Sequence, residues 1–275
     1  MILGAISNSW KLQLSNHDLE KLVQDAQTRG ARQIELRQTC MGNCETGDGE
    51  TWRPAIQKLA EMARAFPQLS FNLAIEWSCL SRETDPRGEQ FQSVLQAAKV
   101  LNAKAPQLRL VDRTSYDVAW TDERQVPAMA LGQVADLTRE TFRHGVVLSI
   151  ENVGQTIAGM TLLVRMVRDR LPKNAGRFLG ICPDPANQLP HYPNSDPVAE
   201  IELTPPDFLK IVHFKQTREG KSHPTIGSGD VDCLRQMRVL QKIGYRGAIV
   251  MEIPPHERVM ENLSASFAYL SKSTK

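Results

Sequence analysis

Four residues of metal-ligand type lie at or near the ends of four short apolar runs in the second half of the 275-residue chain. The run that begins at Val146 leads into Glu151, and "FLGICPD" ends at Asp184. His213 lies in "LKIVHFK", and Glu252 lies in "AIVMEI". Two glutamates, an aspartate and a histidine suit a divalent ion such as Mn²⁺, Mg²⁺, Co²⁺ or Zn²⁺. We expect the four side chains to bind one such ion, because they recur at the same place in four consecutive units.

The apolar residues before Glu151 show why this carboxylate needs a partner. Val146–Ile150 suits a strand that is buried on both faces, with only Ser149 polar. Burial of an unpaired charge costs far more free energy than one strand residue contributes. A bound cation at the end of the strand would compensate the charge of Glu151.

Lys215 lies two residues beyond His213, and the alternation of a strand places both side chains on one face. Its ammonium group would polarise a substrate oxygen or bind an anionic group. An ion pair with Glu35 or Asp184 is the alternative explanation.

Two arginines stand near the expected carboxyl ends of the second and fourth apolar runs. Arg37 lies on the same face as Glu35, and Arg113 follows the fourth run in "RLVDRTS". Guanidinium groups match the geometry of carboxylates and phosphates. The pair suggests a substrate with an anionic end, such as a sugar acid or a sugar phosphate. Salt bridges to Glu35 and Asp112 are the alternative explanation.

Two histidines in predicted loops complete the candidate substrate contacts. His191 follows "DPANQLP" and is a candidate contact of the substrate or of a metal-bound water. His223 lies in "KSHPTIGSG", a loop that we expect over the site. An exposed loop position without a role is the alternative for His223.

Eight short apolar runs predict strands, each followed by a segment with helical spacing of apolar residues. The runs are Ile2–Ser7, Gln33–Leu36, Leu69–Ile75, Gln107–Val111, Val146–Ile150, Arg177–Ile181, Leu209–Phe214 and Ala248–Ile253. Repeated strand–helix units predict an α/β protein with a parallel sheet. A doubly wound sheet would usually carry a glycine-rich turn, which "GAISNSW" lacks. Eight units without a linker predict a single (β/α)8 TIM barrel, one domain over residues 1–275.

Glycines and prolines predict where several helices end. Gly30, Gly145, Gly176 and Gly244 each stand shortly before a predicted strand, where a left-handed helix cap is expected. Five prolines crowd the sixth unit between residues 190 and 206. We therefore expect a long loop and a short helix in that unit.

Composition argues against several classes of partner. The formal net charge is only +2, with acidic and basic residues interleaved, so we expect neither nucleic acid nor a membrane surface as a partner. The start "MILGAISNSWKLQL" lacks the features of a signal peptide, and no run has the length of a membrane span. Five scattered cysteines favour reduced thiols, and we expect a cytoplasmic location.

The sequence resembles the xylose isomerase-like barrels. This superfamily contains sugar and sugar-phosphate isomerases and epimerases and is related to family 2 apurinic endonucleases. The segments that carry the resemblance are "RQIELRQ", "LSIENVG", "CPDPAN", "IVHFKQTREGKSHPTIGSGDVD" and "IVMEIPP". The resemblance implies a divalent metal bound by Glu151, Asp184, His213 and Glu252. It also relates Glu35 to the glutamate of the second strand, and we expect Glu35 to be a substrate contact. Ser228 stands where many relatives have an acidic residue, so no role is extended to it.

The resemblance implies enolisation next to a carbonyl of a small sugar derivative. In the epimerase branch the fifth- and eighth-strand glutamates face each other across the substrate and exchange a proton, and Glu151 and Glu252 occupy those places. A lyase that removes carbon dioxide or water from a keto sugar acid would need nearly the same residues.

Two further alternatives have less support from the sequence. An endonuclease of this superfamily would carry several more histidines and a basic DNA-facing surface. A non-catalytic barrel would be expected to lack at least one ligand, and none is missing. Members of the superfamily commonly form dimers or tetramers, which implies a homo-oligomer, although no stretch of the sequence specifies an interface.

Overall fold

Eight parallel strands form the central sheet of the protein. The structure is a computed structural model, and it describes residues 1–274. The strands are β1 (Ile2–Ile6), β2 (Gln33–Arg37), β3 (Ser70–Glu76), β4 (Gln107–Val111), β5 (Val147–Glu151), β6 (Leu179–Cys182), β7 (Ile211–Phe214) and β8 (Ala248–Met251). The predicted runs coincide with these strands to within two residues at each end.

The strands follow one another around a closed barrel. Neighbours pair in the order β6–β5–β4–β3–β2–β1–β8–β7. A parallel bridge between Ile181 and Leu209 joins β6 to the segment before β7 and closes the ring. Hydrogen bonds from Lys210 N to Ile181 O and from His213 N to Pro183 O cross the same seam. The fold is therefore the predicted (β/α)8 barrel; Lys275, the last residue of the predicted domain, lies outside the described residues.

Helices cover the outside of the barrel. They are α1 (Leu19–Thr28), α2 (Ile56–Ala65), α3 (Glu89–Leu101), α4 (Ala128–Arg143), α5 (Ile157–Asp169), α6 (Lys173–Gly176), α7 (Pro185–Gln188), α8 (Pro197–Leu203), α9 (Cys233–Lys242) and α10 (Val259–Leu270). In α1, Leu19, Leu22, Val23 and Ala26 recur at helical spacing and form the buried face. Within residues 1–274, no helix has the length and apolarity needed to cross a membrane.

The sixth unit contains only short helices, as its prolines predict: α7, a loop, and the seven-residue α8. Three of the four predicted glycine caps have the expected backbone, with φ of 107° at Gly30, 70° at Gly145 and 74° at Gly244. The prediction for Gly176 was wrong. It is the last residue of α6 and has no left-handed φ, and the chain continues into β6 through Arg177 at φ −63°.

The strands have two different buried faces. In β2, Ile34 and Leu36 join the main apolar cluster, which includes residues of the surrounding helices. Glu35 lies between them in sequence, is fully buried, and bonds to polar side chains of other strands. The barrel interior is thus polar and charged at this level, and it leads to the carboxyl ends of the strands, where active sites of this fold form.

Candidate metal centre

The four predicted ligands meet at the carboxyl end of the barrel. Glu151 is the last residue of β5, Asp184 follows β6, His213 lies in β7, and Glu252 follows β8. One ligand atom from each side chain lies within 4.8 Å of the others. Asp184 and His213 are fully buried and Glu151 is nearly so, whereas 16% of the Glu252 side chain is exposed. The arrangement has the donor types and the size of a site for one divalent ion.

One oxygen of the Asp184 carboxylate is fixed by the backbone and the other has no partner. Asp184 Oδ1 accepts hydrogen bonds from the backbone N–H groups of Ala186 (2.9 Å) and Asn187 (3.3 Å) at the start of α7. Asp184 Oδ2 is buried and has no hydrogen-bond partner among the described residues. A buried oxygen without a partner is costly, and a cation ligated by Oδ2 would remove that cost.

In Glu151 and Glu252, as in Asp184, the two carboxylate oxygens have different partners. Arg109 Nη1 donates to Glu151 Oε2 at 2.5 Å, while Glu151 Oε1 lies 3.4 Å from His213 Nδ1. Asn8 Nδ2 donates to Glu252 Oε1 at 2.9 Å, while Glu252 Oε2 lies 3.0 Å from the same His213 Nδ1. In each carboxylate one oxygen is held by a protein donor and the other faces the centre.

The His213 ring lies between the centre and a buried carboxylate. Its Nε2 lies 3.1 Å from Glu35 Oε1, so a proton on Nε2 donates to Glu35 and leaves the Nδ1 lone pair facing the other ligands. Asn72 Nδ2 donates to Glu35 Oε2 at 2.6 Å, and Gln33 Nε2 holds Asn72 in turn. A carboxylate behind a ligating histidine fixes its tautomer and orientation.

The carboxylates of the centre outnumber the positively charged side chains that face them. Four carboxylates, those of Glu35, Glu151, Asp184 and Glu252, face two cations, Arg109 and Lys215. With His213 in the neutral form that binds a metal, two negative charges are uncompensated, and with the ring protonated one remains. Burial raises the pKa of Asp184 to about 6, against the opposing charge of Lys215, so this carboxylate is poorly compensated by the protein alone. The donor set and the charge therefore fit a divalent metal ion.

Glu35 and Glu151, in contrast, are held in the charged form by the protein. Burial by itself would raise the pKa of Glu35, but Arg109 and His213 lower it to about 2. Burial opposes ionisation of Glu151 as well, and Arg109 lowers its pKa below the usual value. Arg109 is thus the buried partner that the sequence required for Glu151.

Lys215 points into the same centre. Its Nζ donates to Asn187 Oδ1 at 3.0 Å and lies 3.9 Å from both Asp184 Oδ2 and Glu252 Oε2. Glu252 raises the pKa of Lys215, and Asp184 adds to the effect. The side chain is 24% exposed, so the ammonium is charged and lies at the edge of the site. Asn187 also donates to Glu151 Oε1 at 3.0 Å.

The two predicted arginines converge on a single carboxylate at the ends of the neighbouring strands β2–β4. Arg37 Nη2 lies 2.6 Å from Glu76 Oε1, and Arg113 contacts the same oxygen at 2.7 Å. Their partner is therefore Glu76 rather than Glu35 or Asp112. Glu76 and Arg113 are largely exposed, whereas Arg37 is buried. The two guanidinium groups therefore share one carboxylate oxygen.

The two predicted loop histidines lie outside the ligand cluster. His191 is exposed on the loop after α7 and helps line a cavity of about 490 Å³ together with Tyr192 and Thr156. His223 is half-buried, and its Nδ1 lies 2.9 Å from the backbone oxygen of Thr225 in its own loop. Neither ring makes a hydrogen bond to one of the four ligands.

A family model described as a xylose isomerase-like TIM barrel matches residues 23–272. The chain belongs to this family. No curated protein sequence gives a significant match.

Solved structures share the fold of this xylose isomerase-like barrel over its whole length. The zinc-bound IolI protein is 15% identical, with 100% of this chain and 96% of IolI covered and a TM-score of 0.69. The probable 3-DHS dehydratase AsbF of Bacillus anthracis is 13% identical, with coverages of 98% and 99% and a TM-score of 0.70. The D-allulose 3-epimerase of Methylomonas sp. is 14% identical, with coverages of 99% and 97% and a TM-score of 0.71. At these identities the similarity establishes the common fold.

Three side chains that hold Glu151, Glu252 and Lys215 in this xylose isomerase-like barrel were not predicted from the sequence. They are Asn8, which follows β1, Arg109, in the middle of β4, and Asn187, in α7. A signal for Arg109 was present, because "QLRLV" places a charge inside an apolar strand just as "VVLSIE" does. The two asparagines carried no such signal, since polar residues after a strand are common in loops.

Proposed function

We propose that the protein is a divalent-metal-dependent isomerase or epimerase that acts through an enediolate on a small sugar-derived substrate. The observation that carries the proposal is the convergence of three carboxylates and one imidazole nitrogen, with one oxygen of each carboxylate held by another donor and the other facing the centre. Glu151, Asp184, His213 and Glu252 would hold the ion. When bound, a divalent cation supplies Lewis-acid stabilisation of negative charge that develops on substrate oxygens.

Glu151 and Glu252 are the proposed acid and base. They stand on β5 and directly after β8, separated around the barrel by β6 and β7, and therefore approach the centre from different sides. One would remove a proton from the carbon next to the carbonyl, and the other would return a proton. Return to the opposite face of the same carbon gives epimerisation, and return to the neighbouring carbon gives isomerisation. Lys215, which is charged and 24% exposed, would hold a substrate oxygen.

Arg37 and Arg113 are proposed to bind an anionic end of the substrate. They stand at the carboxyl ends of β2 and β4, outside the run of ligand strands β5–β8, and β4 pairs with the ligand strand β5. A cavity of about 740 Å³ includes Glu76 in its lining but neither of the two arginines and none of the four ligands, so it is not the proposed anion site. A carboxylate or phosphate would take the place of Glu76 on the guanidinium groups. His191 and His223 remain proposed substrate contacts from loops.

A lyase acting on a keto sugar acid is the second candidate. The arginine pair favours it, because a sugar acid carries the carboxylate that two guanidinium groups would bind. Among the solved barrels of the same fold, AsbF is a probable 3-DHS dehydratase, whereas two others are an L-ribulose 3-epimerase and a D-allulose 3-epimerase. Loss of water or carbon dioxide would pass through the same enediolate or enolate chemistry and use the same glutamates.

The experiment that tests the proposal measures exchange of carbon-bound hydrogen and mass balance together. The protein, supplied in turn with Mn²⁺, Co²⁺, Mg²⁺ and Zn²⁺, is incubated in D₂O with a panel of ketoses, ketose phosphates and keto sugar acids. An isomerase or epimerase incorporates deuterium and conserves substrate mass apart from that exchange, whereas a lyase changes it. Glu151→Gln and Glu252→Gln should each abolish turnover.

Glu140→Gln is the matched control, because Glu140 is a mostly buried glutamate on α4 that pairs with Arg143 outside the barrel interior. It should leave turnover unchanged. Retention of full turnover in both Glu151→Gln and Glu252→Gln, or a parent protein that binds none of the four ions, would refute the proposed mechanism.

A further inference from the structure

Arg109 is a fully buried arginine that joins Glu151, one of the four candidate ligands, to the buried Glu35. It lies in the middle of β4 between Leu108 and Leu110, and only 1% of it is exposed. Ala74 of β3 and Ser149 of β5 are its register partners, so its own neighbours in the sheet carry no charge. Such a guanidinium persists in a barrel interior only with carboxylate partners of good geometry.

Arg109 has two carboxylate partners and uses all three of its nitrogens on them. Its Nε and Nη2 donate to Glu35 Oε1 at 2.9 and 2.6 Å. Its Nη1 donates to Glu151 Oε2 at 2.5 Å. Both carboxylates are buried, so the planar guanidinium fixes their separation and their orientation.

Each of the two carboxylates determines how one proposed metal ligand faces the centre. Glu151 is itself a ligand, and the hold on Oε2 leaves Oε1 as the oxygen that faces His213 Nδ1 at 3.4 Å. Glu35 is not a ligand, but its Oε1 lies 3.1 Å from His213 Nε2 and determines which ring nitrogen faces the centre. One guanidinium thereby controls two of the four ligands.

We propose that Arg109 is a positioning residue for the metal centre: with Glu35 it makes Glu151 bind through Oε1 and His213 through Nδ1. The inference rests on the metal-binding part of the proposed function and goes beyond it, because it assigns a role to two residues that do not touch the ion. It also gives Glu35 a place behind His213 instead of a place against the substrate.

Charge and position make opposite predictions for this residue. Arg109 is a positive charge beside a cation site, so its removal would tighten cation binding if electrostatic repulsion were its main effect. If it positions Glu151 and His213, its removal loosens the ligands and weakens binding, and loss of such outer contacts costs roughly 10- to 100-fold in metal affinity. The sign of the change distinguishes the two roles.

The test compares the Co²⁺ dissociation constant and the Co²⁺ visible spectrum of the full-length parent with those of Arg109→Met, Arg109→Lys and Glu35→Gln. Apo-protein unfolding is measured beside them. Arg168→Met is the matched control, since Arg168 also pairs with a carboxylate, that of Asp207, but outside the barrel interior. We expect Co²⁺ affinity to fall roughly 10- to 100-fold in Arg109→Met and Glu35→Gln, with an altered spectrum, and to be unchanged in Arg168→Met.

Arg109→Lys decides the matter if Arg109→Met does not fold. A lysine keeps the charge but cannot hold both carboxylates in the guanidinium geometry, so the inference predicts weakened binding. Parent-like affinity and spectrum in Arg109→Lys, or unchanged or tighter binding in Arg109→Met, would overturn it. A parent protein that binds no Co²⁺ would overturn both this inference and the proposed function. Weakened binding in the variants of a protein that turns over no sugar would support this inference and refute only the proposed reaction.

Discussion

Asn8 and Glu252 join the first and last strands of the barrel at the edge of the metal centre. Asn8 Nδ2 donates to Glu252 Oε1 at 2.9 Å, and Asn8 Oδ1 is buried without a hydrogen-bond partner among the described residues. The contact leaves Glu252 Oε2 facing His213. Glu252 is the most exposed of the four ligands and so depends most on such a donor for its orientation.

We predict that Asn8→Ala weakens Co²⁺ binding. A hydrogen bond to a charged group contributes about 1.5–3 kcal/mol, which corresponds to a change of roughly 10- to 100-fold in the dissociation constant. Ser9→Ala is the control, because Ser9 Oγ donates to Ile253 O at 2.6 Å and ties the same two loops without touching Glu252. Equal losses of affinity in both variants would show that loop anchoring, not the carboxylate contact, is responsible.

Asp184→Asn should separate the stability of the apo protein from that of the metal-bound protein. Asp184 Oδ2 is buried and has no hydrogen-bond partner among the described residues, so removal of its charge should leave the apo protein at least as stable as the parent in urea unfolding. In the parent, Co²⁺ at 100 times its dissociation constant should add about 2.7 kcal/mol to the free energy of unfolding. The variant should gain little from the same Co²⁺ concentration. A less stable apo variant would mean that Lys215, at 3.9 Å, already compensates Asp184.

Glu76→Gln should tighten the binding of inorganic phosphate by about tenfold, equivalent to roughly 1.4 kcal/mol. The reason is that Arg37 and Arg113 both pair with this one carboxylate, which competes with phosphate for the two guanidinium groups. Calorimetry on the parent, Glu76→Gln and the double variant Glu76→Gln/Arg37→Met measures the effect, and the double variant should lose the gain. Asp207→Asn is the control, because it removes the charge that pairs with Arg168 at a site outside the barrel interior. Unchanged phosphate affinity in Glu76→Gln would argue against an anion site at the arginines.

Lys210 gives a pH dependence of stability that is independent of the metal centre. Burial lowers its pKa to about 8, and Arg168 adds to the effect, whereas an unfolded lysine titrates near pH 10.4. Between these values the unfolded state binds more protons than the folded state, so this group's contribution to stability rises with pH from about 8 to about 10. Urea unfolding of the parent and of Lys210→Met at pH 7 and pH 10 should show a larger gain for the parent. An identical pH response of the two proteins would refute the assignment.

The strands and the four ligands could be predicted from the sequence because both depend on local patterns. Apolar runs identify the strands, and the (β/α)8 fold places the carboxyl end of every strand on one face of the barrel. The residues at those ends, Glu151, Asp184, His213 and Glu252, therefore had to lie near one another, and they do.

The partners of the buried charges could not be predicted in the same way. Arg109 bonds to residues 74 and 42 positions away, and which carboxylates it meets depends on strand order and register around the closed barrel. Glu76 is a different case, since β3 lies between β2 and β4 in the predicted strand order. Its position between Arg37 and Arg113 was therefore available from the sequence, although the pairing with Glu35 and Asp112 was the one considered.

The seam between β6 and β7 gives the candidate metal centre a mechanical role. The ring closes there through the bridge between Ile181 and Leu209 and a few neighbouring hydrogen bonds. Asp184 and His213 stand on opposite sides of this seam. An ion bound to both would therefore hold β6 and β7 together where the ring closes. Occupancy should then slow amide hydrogen exchange at residues 179–182 and 211–214 more than in β2 and β3, which reports loading without any substrate.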